Sequence, residues 1–182
     1  MLETIGFLEL NSIAKGVEAA DAMLKASAVD LVFAKPGCPG KYNILIAGDV
    51  AAVKFSVEVG ADIGGQFVVD KLLIPRIHPQ VIKAINLSMM PEVVNAVGVI
   101  EFFSVTASIL GADAAVKAAD VTLIDVRLGT GIGGKSFVIL TGDTAAVEEA
   151  VSCGAKAGAE NGMLINKVVI PNPREEIFAS LL

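Results

Sequence analysis

The chain repeats itself, and that constrains its fold more than any other feature. Ile5-Gly6-Phe7-Leu8-Glu9 aligns with Val97-Gly98-Val99-Ile100-Glu101 at an offset of 92. At the same offset Ser12 meets Ser104, Ala20-Asp21-Ala22 meets Ala112-Asp113-Ala114, and Lys25-Ala26 meets Lys117-Ala118. A two-residue insertion then moves the offset to 94, where Gly40-Lys41 meets Gly134-Lys135 and Gly48-Asp49 meets Gly142-Asp143. Ala51-Ala52-Val53 meets Ala145-Ala146-Val147, and Gly60-Ala61 meets Gly154-Ala155. A further shift of two brings Lys71 to Lys167 and Ile74-Pro75 to Ile170-Pro171. So long a period describes two copies of one domain rather than a stacked solenoid. We place the first copy over residues 1–90 and the second over 91–182.

Each copy reads as mixed α/β, an α+β arrangement of a small sheet and flanking helices. Thr4–Leu10 is an apolar strand. Ser12 suits a helix N-cap, and Ile13, Val17, Ala20 and Leu24 fall at helical spacing, which predicts a buried stripe. Two strands, near 29–34 and 42–47, surround a turn at Cys38. Asp49 is expected to cap a second helix that turns Val50, Val53, Val57 and Ala61 to one face, with Gly64-Gly65 as its end. Phe67–Ile74 is a fourth strand stopped by Pro75. His78-Pro79 opens a short helix with Val81, Ile82 and Ile85 on its apolar side. The link, about Asn86–Asn95, reads as a short surface crossing.

Composition narrows the function. The hydrophobic fraction is 54% and the charged fraction 19%, enough apolar surface for two cores and for subunit interfaces. A net charge of −6 argues against a nucleic-acid surface, which needs clustered Lys and Arg. The longest run without a charge, Phe102 to Ala112, is eleven residues, too short to span a bilayer. Glu3 and Glu9 interrupt any apolar leader. Two cysteines are too few for a disulfide framework. These features predict a soluble cytoplasmic protein with no membrane partner.

The stretch with chemistry to offer is Lys35-Pro36-Gly37-Cys38-Pro39-Gly40-Lys41. Two prolines and two glycines force a tight turn, and a thiol sits at its tip, although free Cys is usually buried. One thiol does not hold a metal cluster. Copies converging on a symmetry axis would. A solitary turn cysteine without a role is the alternative. Cys153, set among Val147, Ala150, Val151 and Ala157, reads as a buried, inert thiol; its counterpart is Val59.

A second motif competes. Gly129-Thr130-Gly131-Ile132-Gly133-Gly134-Lys135-Ser136 satisfies the phosphate-loop pattern G-x-x-x-x-G-K-[ST]. That mechanism needs a helix after the loop, whereas Phe137-Val138-Ile139-Leu140 reads as a strand. The repeat also aligns this loop with the Cys38 turn. We read it as a longer counterpart loop that binds no nucleotide. His78, the only histidine, reads as a helix-start residue, and Glu9 and Glu101 as a shared structural feature. No nucleophile–base pair or spaced ligand set supports an enzyme.

Gly6-Phe7-Leu8-Glu9, Ala20-Asp21-Ala22-Met23-Leu24-Lys25-Ala26, Gly40-Lys41 with Gly48-Asp49, and Pro75-Arg76-Ile77-His78 together resemble the bacterial microcompartment shell-protein family. The resemblance covers both copies. Two fused copies resemble the tandem-domain class, whose members form trimers shaped like hexamers, and within it most closely the propanediol-utilisation iron–sulfur branch. The resemblance implies that each copy is a mainly antiparallel sheet flanked by helices. It also implies that the loops bearing Pro36, Pro39, Lys41, Gly131 and Gly133 line a central pore. Cys38 from each of three subunits would then ligate one 4Fe–4S cluster, with Gly37 and Gly40 offering backbone N–H groups to it. Lys25, Lys117, Arg76 and Arg174 would lie at tile edges. Implied partners are two further copies of the chain, other shell proteins, and a redox enzyme inside or outside the shell. The implied function is electron transfer across the shell; an open pore for small metabolites, with no cluster, is the alternative.

Overall fold

The computed structural model describes residues 4–88, 95–159 and 162–179. The chain divides into two compact units, Met1–Ile77 and His78–Leu182. The first contains β1 (Thr4–Leu10), α1 (Ile13–Ala26), β2 (Asp30–Gly37), β3 (Lys41–Gly48), α2 (Val50–Gly64) and β4 (Val68–Ile74). Its sheet runs in the order β2-β3-β1-β4 with antiparallel neighbours throughout. The second unit opens with α3 (Pro79–Asn86). There follow β5 (Ala96–Phe102), α4 (Val105–Ala118), β6 (Val121–Leu128), β7 (Ser136–Gly142), α5 (Thr144–Gly158), β8 (Leu164–Pro171) and α6 (Glu175–Ala179). Its sheet order, β6-β7-β5-β8, repeats the first.

The mixed α/β architecture is as the repeat predicts. Helix α3, which the repeat assigns to the first copy, belongs to the second unit and packs on β6 and α4. The boundary of the repeat and the boundary of packing therefore differ by this helix. Most of the expected crossing over Asn86–Asn95 lies outside the described residues.

β1 is buried along its whole length, with α1 and α2 packed on its sheet. The repeated glycine of this strand has a steric purpose. A Cβ on Gly6 would lie 2.5 Å from Val57 and 2.7 Å from Val53 of α2. On Gly98 it would lie 2.5 Å from Val151 of α5. Only a residue without a side chain lets helix and strand approach this closely.

Ser12 caps α1 as expected, its Oγ accepting from the Lys15 N–H at 3.3 Å. The predicted buried stripe is corrected. α1 buries Gly16, Ala19, Ala20 and Met23, while Ile13, Val17 and Leu24 are 47%, 53% and 38% exposed. The helix lies on its sheet through its small residues: a Cβ on Gly16 would stand 2.5 Å from Tyr42. The larger aliphatics consequently face outward. In the second copy the same positions, Val105, Ile109 and Val116, are 2%, 0% and 7% exposed.

Asp49 occupies the N-cap position of α2 without making a side-chain cap, and Val50 is exposed, contrary to expectation. Val53 and Val57 are buried, and Ala61 is half-buried. Gly65, at φ 51°, ends the helix as expected. In α3, Val81 and Ala84 are buried, with Ile82 and Ile85 half-buried.

Candidate functional site

Residues 38–40 connect β2 to β3, with Pro36 opposite Tyr42 and Gly37 opposite Lys41. Gly40 has φ 73° and open space where a Cβ would point, so it supplies the left-handed backbone that closes the turn. Pro36, Pro39 and Gly40 are exposed, Gly37 and Cys38 half-buried. The Cys38–Pro39 peptide is cis. Cys38 is a free thiol. Among the described residues no group of three or more His, Cys, Asp or Glu side chains is placed to hold a metal. A single chain thus offers one thiol at a preformed turn.

The two lysines near this turn behave differently. Lys35 is exposed and lies over the Phe33 ring, 4.6 Å from its centroid. Lys41 reaches back along the sheet instead, and its Nζ pairs with Glu9 Oε1 at 3.0 Å. Glu9 is buried, so this pairing satisfies a carboxylate removed from water. The second copy repeats it: Lys135 Nζ lies 3.1 Å from Glu101 Oε1. Glu9 and Glu101 therefore share a structural role, as expected.

The loop over residues 129–135 connects β6 to β7 and carries the two-residue insertion, Leu128 pairing with Ser136. Gly129, Gly131, Gly133 and Gly134 all have φ between 62° and 84°, a run of left-handed backbone that glycine alone adopts readily. Strand β7 starts at Ser136, where a phosphate loop would begin its helix. The Lys135 ammonium is spent on Glu101, and Ser136 Oγ is buried. The local geometry is that of a β-hairpin connection.

The remaining candidates fall as follows. Cys153 is half-buried rather than buried, and its thiol donates to Glu149 Oε1 at 3.1 Å. That hydrogen bond, with the nearby carboxylate charge, holds the thiol above its ordinary pKa and so disfavours the thiolate. His78 is the N-cap of α3, as expected; its Nδ1 accepts from the Gln80 N–H. Lys25 pairs with Asp21 and Lys117 with Asp113, each at 2.6 Å across one helical turn. Arg174 pairs with Glu176 at 2.8 Å and is exposed. Arg76 and Arg174 are not equivalent in the fold. Arg76, at φ 55°, has its counterpart in Asn172, at φ 46°; Arg174 precedes α6 as His78 precedes α3.

Gln80 was not singled out by its sequence. Its Oε1 accepts from the Leu123 N–H at 2.9 Å and its Nε2 donates to the Val121 carbonyl at 3.4 Å. The side chain thus closes an outer strand's open hydrogen-bonding groups. Asp113 also joins this contact, its Oδ1 accepting from the His78 N–H at 2.8 Å. The recurrence of Asp21 and Asp113 was a usable signal for the second feature. Nothing local distinguishes Gln80.

Comparison with known proteins bears on both copies. The family model for the BMC domain matches residues 4–77 and 96–173. The chain belongs to this family, in a two-domain form. It is a structural shell protein of a bacterial microcompartment, and its place is that shell. It is 42% identical to the bacterial microcompartment shell protein PduT of Citrobacter freundii, over 100% of this chain and 99% of that one. It is 30% identical to the carboxysome assembly protein CcmO of Synechocystis sp., over 97% of this chain and 64% of that one. A solved microcompartments protein from Desulfitobacterium hafniense superposes with a TM-score of 0.93 at 51% identity, covering 98% of this chain and 99% of that one. Among the described residues no helix is long and apolar enough to cross a membrane.

Proposed function

We propose that this shell protein is a homotrimeric tile that holds a 4Fe–4S cluster on its three-fold axis and relays electrons across the shell. The observation that carries the reading is the thiol of Cys38, half-exposed on a turn shaped by Pro36, Pro39 and Gly40. A lone thiolate is an incomplete donor set; three-fold symmetry would supply three thiolates, and the fourth iron of the cube would take a ligand from outside the chain. Cluster iron is bound by Cys thiolate, and the cluster when bound supplies one-electron transfer. Cys38 would be its ligand, with Gly37 and Gly40 keeping side chains out of the way. Lys41 remains committed to Glu9, leaving Lys35 as the cation beside the turn. Gly131 and Gly133 give the second pore loop its backbone freedom. Lys25, Lys117, Arg76 and Arg174 are the candidate contacts to neighbouring tiles, and a redox enzyme is the functional partner. No catalytic residue is assigned.

The test is anaerobic reconstitution of the full chain, followed by iron and sulfide analysis per trimer. About four of each are expected if the cube is complete. Cys38→Ser should abolish both, together with the charge-transfer absorption, and leave the trimer formed. Cys153→Ser should retain the cluster. Equal iron in the parent and in Cys38→Ser would overturn the cluster and favour a tile whose open pore passes small metabolites.

A further inference from the structure

Among the described residues, the hydroxyls of Ser108 and Ser136 are buried and have no hydrogen-bond partner. Both residues are 0% exposed. A hydroxyl orphaned in an apolar interior costs free energy, and buried polar groups are satisfied by protein or by ordered water. The repeat shows where these two lie. Ser108 is the counterpart of Gly16 at the offset of 92, and Ser136 that of Tyr42 at the offset of 94. In the first copy those positions touch: a Cβ on Gly16 would stand 2.5 Å from the Cβ and the ring of Tyr42.

The second copy keeps this register. Ser136 lies opposite Phe102 as Tyr42 lies opposite Leu10, and residues directly opposite in a ladder share a face. The Phe102 ring reaches α4 at Gly111, 2.7 Å from where a Cβ would stand. Gly111 is one turn beyond Ser108 on the same side of that helix. Ser136 therefore faces α4 at Ser108. The packing, however, is different. A glycine and an aromatic ring are exchanged for two hydroxymethyl groups, which fill less volume. The Phe102 ring sits against Gly111 and Gly158 rather than in the place of the Tyr42 ring. Val105 closes the outer side. It is 2% exposed, and its side chain lies 3.2 Å from the Cβ position of Gly129, where the 129–135 loop begins.

We propose that Ser108 and Ser136 bind an ordered water in the place that Tyr42 fills in the first copy, and that this water ties the base of the 129–135 loop to α4. Each hydroxyl donates one hydrogen bond and accepts others, so the pair supplies the two polar partners that a buried water needs. The hydroxyls do not bond each other, which is the separation a bridging water spans. Phe102, Val105 and Leu128 flank the position and add no polar side chain, so the ligand is water rather than a larger polar molecule. Ser136 is also the last residue of the phosphate-loop pattern, and this site gives its hydroxyl a role without phosphate. The inference depends on neither the cluster nor the assembly.

A crystal structure of the full chain that resolves ordered water tests the site directly. One peak within about 2.6–3.2 Å of both Oγ atoms is expected. An empty position, or a direct bond between the two hydroxyls, would overturn the proposal. Thermal melts read it independently. Ser108→Ala and Ser136→Ala each take a partner from the water and should lower the melting temperature by about 2–4 °C. A rise or no change in either would mean that the hydroxyls are dry, and would overturn it. Ser136→Tyr places a ring against the Ser108 Cβ and should lose more. Ser136→Tyr with Ser108→Gly rebuilds the first copy's pair and should melt at least about 3 °C above Ser136→Tyr alone. No recovery would overturn the placement of Ser108 against Ser136.

Discussion

Helices α1 and α4 occupy the same position in two copies of one domain, yet one shows an aliphatic stripe to solvent and the other buries it. Ile13, Val17 and Leu24 are exposed where Val105, Ile109 and Val116 are not. Both stripes have the same spacing and nearly the same hydrophobicity. In the second copy α3 packs on β6 and α4, and Val105 lies against the loop at Gly129. A stripe read from sequence identifies a surface that requires a partner. It does not say whether that partner is the helix's own sheet, a later helix or another chain.

The largest effect expected from this comparison is on stability. Ile109→Ala should cost about 2–4 kcal/mol by cavity formation. Val17→Ala at the equivalent position should stay within about 0.5 kcal/mol, as at other exposed sites. Chemical denaturation at chain concentrations where sedimentation shows a monomer measures both. Equal losses would break the comparison by showing the α1 stripe buried in the separate chain.

The lysine–glutamate pairs give a smaller contrast. The Glu9 side chain is 5% exposed and that of Glu101 36%. Lys41→Met should cost about 2 kcal/mol, because it leaves a buried carboxylate without its cation. Lys135→Met should cost less than about 1 kcal/mol, as for a solvent-screened pair. Urea unfolding of the two variants, followed side by side, checks the ranking; a larger loss from Lys135→Met would reverse it.

The smallest effect concerns Cys153, where the first copy has Val59. Its hydrogen bond to Glu149 favours the neutral thiol, so at pH 8 it carries less thiolate than an ordinary cysteine. Glu149→Gln removes the charged acceptor and should speed iodoacetamide alkylation a few-fold, measured in a Cys38→Ser chain. An unchanged rate would mean that the carboxylate does not hold the thiol.

Much of the site was legible because it depends on local chemistry. The turn at Cys38 follows from its prolines and glycines, and the strand after Lys135 from an apolar run that lacks helical spacing. Ser12 and His78 cap their helices through contacts a few residues away. What was missed depends on groups distant in sequence. Asp49 suits an N-cap yet makes none. Cys153 sits among apolar neighbours in the sequence, but the neighbour one turn back, Glu149, decides its chemistry. Gln80 acts across 43 residues on Leu123, and no short window contains that pairing.

The sequence by itself determined that there are two copies, the order of strands and helices in each, and the turn that presents Cys38. Periodicity, caps and turn residues act over a few positions, and the repeat reads them twice. Only the tertiary structure decided which face of α1 meets the sheet, where Lys41 sends its ammonium, and that α3 covers the second copy. Those outcomes depend on how closely two backbones approach. Gly16 against Tyr42 sets that distance for α1, and the larger aliphatics of the helix face outward.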